Sequence, residues 1–354
     1  MNAQRHISSE TLETPLAGLR VGLVYDLRDE YRAAGYTEEQ VAEFDSVGTI
    51  DAIDGALQEL GCRTERIGHG RALARLLTKG SRWDLVFNIA EGLHGRSREA
   101  QVPALLEMYD IAYTFSDPLV CALTLDKAMT KRVVASAGLA TPRFAVIHRP
   151  EEVDAVGLTY PLFAKPLAEG TGKGVDGRSN ITTPQELREV CERLLERFAQ
   201  PVLVEEYLPG REFTTALLGT GRDARVLGTL EMTIRADAPA RDYSLEVKEQ
   251  CEQFVHYFAM PAGPLREEAE ALALAAYRVL ECRDAGRVDI RLDAQGRPSF
   301  IELNPLPGLH PTHSDLPMIA TQEGMAYVEL IRSIVVGALE RQGLSACRAP
   351  RIVS

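Results

Sequence analysis

The chain has 354 residues, 45% apolar and 25% charged, with a formal net charge of -12; this is length enough for two or three lobes, and the acidity argues against nucleic acid, whose phosphates are bound through clustered Lys and Arg. Cysteines 62, 121, 191, 251, 282 and 347 form no C-x-x-C pair, so neither a disulfide framework nor a zinc site is indicated and a reducing, cytoplasmic setting fits. The first sixteen residues are polar and no run approaches eighteen apolar residues, so neither secretion nor a membrane span is expected, and small molecules are the expected partners.

Residues 19–25 read as a buried strand, and 46–60 as a helix from the spacing of Ile50, Ile53, Leu57 and Leu60. A strand at 63–67, a short helix at 73–77, a strand at 83–89 and a helix at 102–109 continue the alternation, which predicts a parallel, doubly wound lobe ending near Val120. A helix over 126–137 stops at Gly138, and a strand follows at 144–147. Strands at 160–166 and 201–207 flank a helix whose start is marked by Thr183, Pro184 and Glu186 as an S/T-x-x-E capping box. Strands near 224–231 and 286–292, a helix over 267–280 and a closing helix over 325–339 complete the pattern. The expected division is a disordered tail 1–16, an N-terminal α/β lobe 17–121, a central lobe 122–215, a C-terminal lobe 216–345 and a tail 346–354.

Three segments carry chemistry. In Gly286-Arg-Val-Asp289 and onward, apolar Val288, Ile290 and Leu292 alternate with Arg287, Asp289 and Arg291, so one strand face is buried and the other presented. After a turn at 294–298, Glu302 and Asn304 share a side by the period of two, and a hairpin brings Asp289 beside them. Two carboxylates and an amide oxygen are an oxygen-only set suited to Mg²⁺ shared with nucleotide phosphates; the plain alternative is a solvated hairpin face.

The second segment is Pro161-Leu-Phe-Ala-Lys-Pro166 running into Leu167-Ala-Glu-Gly-Thr-Gly-Lys-Gly174. Its glycines let amides approach phosphate oxygens closely, with Gly170 and Thr171 at the tip, or else make an ordinary surface loop. Lys165 sits on an otherwise apolar strand, where an unpaired ammonium is costly and phosphate would pair it. Gly172, Gly174 and Gly177 satisfy G-x-G-x-x-G, but the next helix starts about ten residues too late for a dinucleotide turn. The third segment is Glu205-Glu-Tyr-Leu-Pro-Gly-Arg-Glu212. There Glu205 can accept from an exocyclic amine, Tyr207 can lie against a purine and Glu212 can accept from ribose hydroxyls; a bare strand end is the alternative.

With Lys127, these motifs resemble the D-alanine:D-alanine ligase family of ATP-grasp enzymes, in order and spacing, from about residue 19 to 339. The resemblance implies α/β and α+β architecture, an ATP-grasp fold behind an N-terminal parallel α/β (pre-ATP-grasp) lobe. It implies that Lys127 and Lys165 contact ATP phosphates beside Gly170 and Thr171. Glu205, Glu206, Tyr207 and Leu208 then line the adenine site, Glu212 holds ribose, and Asp289, Glu302 and Asn304 bind Mg²⁺, with Mn²⁺ as a substitute. In the same pattern Arg287 and the Gly308 backbone face the reacting carbonyl, Ser314 holds the acceptor carboxylate, and Lys248 resembles the lysine of a mobile loop that closes over the transferred phosphate. Glu43 resembles the glutamate that receives the first substrate's ammonium, with Asp45 as its alternative, and His94 resembles a substrate-side histidine. The implied activity is ATP-dependent joining of two amino acids through an acyl phosphate, by default D-alanyl-D-alanine, in a cytoplasmic homodimer.

The chain departs from that pattern at residues 309–315, one residue longer than the usual acceptor loop, with Asp315 where an apolar residue is expected. An acid there can pair with a cationic acceptor or repel the carboxylate of a plain amino acid. The alternatives are thus a ligase for a different amino acid or dipeptide acceptor in a specialised pathway, a kinase sharing the grasp, or an ATP-binding protein without ligase activity.

Overall fold

Three sheets organise residues 16–235 and 251–344, the residues that the computed structural model describes. In the first, β1 (Arg20–Val24) lies between β2 (Arg63–Gly68) and β3 (Leu85–Asn88), all parallel. As the central strand, β1 buries every residue from Val21 to Val24, which is why it reads as a continuous apolar run rather than an alternation. The helix Val47–Glu59 is capped by Ser46 and buries Ile50, Ile53 and Leu57, the stripe its spacing predicts. That stripe shares a core with Leu330, Ile331 and Ile334 of the closing helix Tyr327–Arg341, so the end of the described chain packs on its beginning.

The second sheet is antiparallel: β4 (Phe144–Ile147), β5 (Leu162–Pro166), β6 (Asn180–Ile181) and β7 (Val202–Glu206), in the order β4-β7-β5-β6. The helix Pro184–Phe198 covers it with Leu187, Val190, Cys191 and Leu194, and both halves of the Thr183–Glu186 capping box form. The third sheet runs β10-β9-β8-β11-β12, from β8 (Glu212–Leu218), β9 (Arg225–Ile234), β10 (Val255–Ala259), β11 (Ala285–Leu292) and β12 (Pro298–Asn304). The helix Pro264–Val279 packs on it through Ala269, Ala273, Ala276 and Tyr277.

Several elements escape periodicity. Helices Arg28–Ala33 and Glu38–Val41 fill the long stretch after β1, and six and four residues are too few for a 3.6 period to repeat. The helix Pro118–Leu125 is apolar on nearly every side, although Asp117 capping it ahead of Pro118 is a readable start signal. It spans residues 121 and 122, and β8 spans 215 and 216. Strands β8 and β10 and the helix Asp315–Gln322 add to the expected set. Leu16, the last residue of the expected N-terminal tail, is fully buried, while the rest of that tail and residues 345–354 lie outside the described residues. No helix among the described residues is long and apolar enough to cross a membrane.

Thr183→Ala removes the hydroxyl that accepts from the Glu186 amide and is expected to cost about 1 kcal/mol. A lower urea midpoint, with nucleotide binding unchanged, checks this; an unchanged midpoint would show that the cap contributes nothing.

Candidate active site

The β11–β12 hairpin sets Asp289 directly opposite Glu302 and Arg287 opposite Asn304. The register slips once, because Ile290 pairs with Phe300 and leaves Ile301 as a bulge. Ile301 and Glu302 therefore both border one cleft, although they are sequence neighbours. The Asn304 amide donates to Asp289 Oδ2 at 3.3 Å, and the Thr214 hydroxyl of β8 donates to Asp289 Oδ1 at 2.9 Å. Among the described residues no group of three or more His, Cys, Asp or Glu side chains is arranged to hold a metal ion. The pair of carboxylates with an amide oxygen fits instead an ion that completes its shell with phosphates and water, as Mg²⁺ commonly does.

Three lysines surround these carboxylates. Lys127 opens the helix Lys127–Ser136, donates to the Glu169 carbonyl and lies 3.5 Å from Glu302 Oε2. Lys165 on β5 lies 3.2 Å from Glu205 Oε1 and 3.9 Å from Glu302 Oε2. Lys131, one turn beyond Lys127 and fully buried, lies 3.0 Å from Glu205 Oε2. The sequence argument missed Lys131, though its i, i+4 relation to Lys127 puts both on one helix face. It also left Lys165 to be paired by phosphate, whereas Glu205 and Glu302 pair it within the chain. A buried ammonium needs such a partner whatever ligand comes. Burial alone would raise the Glu302 carboxyl, but Lys127 and Lys165 outweigh it and hold it down to about 2. Burial pushes Lys131 down to about 8 against the pull of Glu205. Burial raises Asp289, with Arg287 opposing and Glu302 and Asp315 reinforcing the rise.

The same cleft, about 120 Å³, runs on past Phe163, Tyr207, Leu208 and Glu212. Phe163 and Tyr207 stack with centroids 6.4 Å apart, and the Arg291 guanidinium sits 4.9 Å over the Tyr207 ring. Arg291 also donates to the Tyr207 hydroxyl at 2.9 Å and lies 3.6 Å from Glu212. Phe163 and Arg291 were not singled out from sequence, since an aromatic on a strand reads first as core. Glu206 turns toward Arg143 and accepts from the Thr159 amide. Glu205 has both oxygens against lysines, so its carboxylate is engaged before any purine amine arrives.

The glycine loop is pinned to the first lobe. The Gly170 amide donates to Glu43 Oε1 at 2.6 Å, and a Cβ on Gly170 would stand 2.8 Å from that oxygen. Glu43 Oε2 lies 2.9 Å from Arg98 and 3.3 Å from Lys173, and Arg98 also donates to the Ala168 carbonyl. Lys173 thus points into the protein, toward Glu43 and Glu169, and Thr171 takes a left-handed φ of 55°. A second cleft of about 920 Å³ opens beyond, bordered by Glu43, Asp45, Gly308 and Ser314. Lys127, Gly170, Thr171, Arg287, Glu302 and Asp315 border both clefts, so the two meet there.

At that junction Arg287 bridges two carboxylates, 2.5 Å from Asp315 Oδ2 and 3.1 Å from Asp289 Oδ2. The Ser314 hydroxyl accepts from the His310 amide at 3.0 Å, and Gly308 packs so closely on it that a Cβ would stand 2.7 Å away. His94 is exposed and borders neither cleft, with its carbonyl accepting from Gln101. Lys248 lies outside the described residues.

Two outcomes follow. Glu205→Gln leaves Lys131 and Lys165 short of a buried counter-charge and is expected to destabilise the fold by about 3–5 kcal/mol, measured by urea unfolding. The Glu43 carboxyl is opposed by burial but held down to about 2 from 4.5 by Arg98, Lys173 and the Gly170 amide. A depressed carboxyl contributes stability above its unfolded value and loses it as pH falls through its folded one. Glu43→Gln should therefore cost on the order of 3 kcal/mol at neutral pH, with the gap to wild type closing from about pH 4.5 toward 2; a gap independent of pH would contradict the assignment.

Residues 133–336 match the family model described as "D-ala D-ala ligase C-terminus". The chain is 37% identical over 270 residues to a D-alanine--D-alanine ligase of Bordetella petrii, covering 75% of this chain and 78% of that one. It is 33% identical over 293 residues to an uncharacterised protein of Sinorhizobium fredii, covering 80% and 85% respectively. A crystal structure of D-alanine--D-alanine ligase from Bacillus anthracis complexed with ATP superposes with a TM-score of 0.72 at 22% identity, over 92% of this chain and 99% of that one. The fold is accordingly an ATP-grasp behind a parallel α/β lobe, and the chain belongs to the D-ala D-ala ligase family.

Proposed function

We propose that this protein is an ATP- and Mg²⁺-dependent carboxylate-amine ligase joining two amino acids, with D-alanyl-D-alanine as the default product. The observation that carries this is the meeting of two clefts at Lys127, Arg287, Glu302 and Asp315. One cleft has an aromatic slot and lysines for a nucleotide, and the other has room for the reacting amino acids. Phe163, Tyr207 and Leu208 enclose the base, Glu212 accepts from ribose, and Lys127 and Lys165 face the phosphates with the Gly170–Thr171 backbone above them. Asp289, Glu302 and Asn304 would hold a magnesium ion, or manganese in its place, which would supply positive charge to the nucleotide phosphates.

The donor carboxylate oxygen forms a bond to the terminal phosphorus and ADP departs. The acceptor nitrogen then attacks the acyl carbon, loses a proton, and phosphate leaves as the amide forms. Arg287 and the Gly308 amide stand where the carbonyl oxygen gains negative charge. Ser314 holds the acceptor carboxylate, while Lys248, to which the resemblance gives the phosphate-covering role, lies outside the described residues. The family resemblance alone supports a homodimer and a role for His94. Free buried Cys62, Cys121, Cys191 and Cys282 support a reducing, cytoplasmic setting. This reading divides the chain into lobes at 17–121, 122–215 and 216–345, with the helix Pro118–Leu125 and β8 crossing the two internal boundaries. Asp315, where an apolar residue is expected, favours an acceptor other than plain D-alanine as the second reading.

ADP and phosphate release over D- and L-amino acids, singly and in pairs, with products weighed by mass spectrometry, tests this. Turnover that depends on a pair supports ligation, turnover with one carboxylate alone supports a kinase, and none at all sinks both. Asp289→Ala and Glu302→Ala are each expected to lower kcat by on the order of 1000-fold; near-normal turnover would remove the metal assignment.

A further inference from the structure

We propose that Arg28 is the receptor for a further carboxylate of the substrate in the second cleft, one that neither reacts nor lies at Ser314. Acidic amino acids are then the class this cleft selects, an inference that rests on the ligase reading. Arg28 borders the cleft on the stretch between β1 and the helix Val47–Glu59, ahead of Glu43, to which the resemblance gives no role. The side chain is partly buried, and its Nε is buried with no hydrogen-bond partner among the described residues. Its Nη2 donates to the Ala42 carbonyl at 3.1 Å, and among the described residues no carboxylate stands within ion-pair distance of it. The other arginines and lysines bordering the cleft are committed. Arg32 holds both oxygens of Glu38, Lys127 lies against Glu302, and Arg287 bridges Asp289 and Asp315.

The arginine is also held in place. Its amide donates to the Asp45 carbonyl at 2.9 Å and the Asp45 amide donates to the Asp26 carbonyl at 3.0 Å, a short parallel bridge tying residues 26–28 to 45. Tyr31, one turn on, sets its ring against Phe44 with centroids 4.5 Å apart, and its hydroxyl donates to Asp26 Oδ1. A guanidinium fixed at its backbone and at one nitrogen, with its charge uncompensated, offers a planar fork that matches a carboxylate. A bound anion would offset the cost of leaving that charge partly buried without a partner. Burial raises the neighbouring Asp45 carboxyl to about 7, with Arg28 opposing the rise through space. Because Glu38 and Asp45 border the same cleft, a singly charged carboxylate suits the place better than a phosphate group with roughly two negative charges. The helix that follows Asp45 meets the loop carrying Ser314, since a Cβ on Gly48 would stand 3.9 Å from His310 Nε2. Arg28 and Ser314 thus border one cleft, of about 920 Å³, with room for a side chain longer than a methyl group.

The test uses the full chain as wild type, Arg28→Met and Arg28→Lys. ADP release is measured with aspartate and glutamate against their carboxamides, asparagine and glutamine, in both enantiomers, each alone and paired with alanine. Calorimetric titration of the same compounds and thermal melts run alongside. Acid and amide share one shape, so the ratio of their KM values reads the charge of the side chain. Wild type is expected to favour the acid about 10-fold to 100-fold in KM, and Arg28→Met to bring that ratio to about one with KM for ATP unchanged. Arg28→Lys keeps the charge without the fork and is expected to retain a smaller preference; it carries the test by itself if Arg28→Met does not fold. An arginine that only tied down the Ala42 carbonyl would move KM for acid and amide alike. Equal KM for acid and amide in wild type overturns the proposal, as does a preference undiminished in the variants. Pair-dependent ADP release beside either of those results leaves the ligase reading standing. Should the wild type release no ADP with any amino acid, the ligase reading fails by itself. Titration then decides the subsite: heat with aspartate or glutamate that saturates in wild type and vanishes in Arg28→Met supports it, and absent or identical heats overturn it.

Discussion

The active-site architecture depends on how Glu205 and Glu302 are accommodated, the first a buried carboxylate and the second a partly buried one that borders both clefts. A carboxylate taken out of water costs several kcal/mol unless an ammonium and hydrogen bonds replace the hydration. Lys165 reaches both of them, Lys131 secures Glu205 and Lys127 secures Glu302. These contacts join β5 and β7 of the second sheet, the helix Lys127–Ser136 and β12 of the third sheet into one charged cluster. The two sheets that face the nucleotide cleft are held in register by ion pairs, and the lysines are oriented before any phosphate arrives. Preorganisation of this kind is what lets electrostatic stabilisation act without reorganising the site.

A second anchor works at the other end of the cleft. Glu43 comes from the first lobe, yet it receives the Gly170 amide and Lys173 from the glycine loop. A loop with left-handed φ at Thr171, Gly172 and Gly174 has little secondary structure to hold it, so its position depends on this buried carboxylate. Glu43 therefore ties the glycine loop to the first lobe at the border of the second cleft.

Much of this was legible from sequence because it obeys a period. Asp289, Glu302 and Asn304 follow from strand alternation and a turn, and the Thr183 box follows from its residue spacing. Illegible were the features set by packing across sequence distance. Nothing local announces that Glu43 will meet Arg98 and Gly170, or that Asp315 will meet Arg287 across 28 residues. The bulge at Ile301 was hidden too, since a two-residue period cannot report its own interruption. Short helices such as Glu38–Val41 have too few residues to show a stripe.

Arg287 shows why the acceptor side stays distinctive. An arginine facing a developing oxyanion acts most strongly when its charge is uncompensated. Here Asp289 and Asp315 both touch it, and Asp315 reaches one guanidinium nitrogen at 2.5 Å. A cation that balances Asp289 would leave Asp315 still paired with the guanidinium, holding its plane in one orientation while reducing its pull on a second anion. An acceptor carrying a free carboxylate would meet that reduced pull together with the repulsion of Asp315. One with its carboxylate masked, or with a positive group near it, would meet neither. Under the proposed function, Asp315 would tie the orientation of the arginine to the charge of the acceptor, and discrimination among acceptors would arise from the same ion pair that positions Arg287.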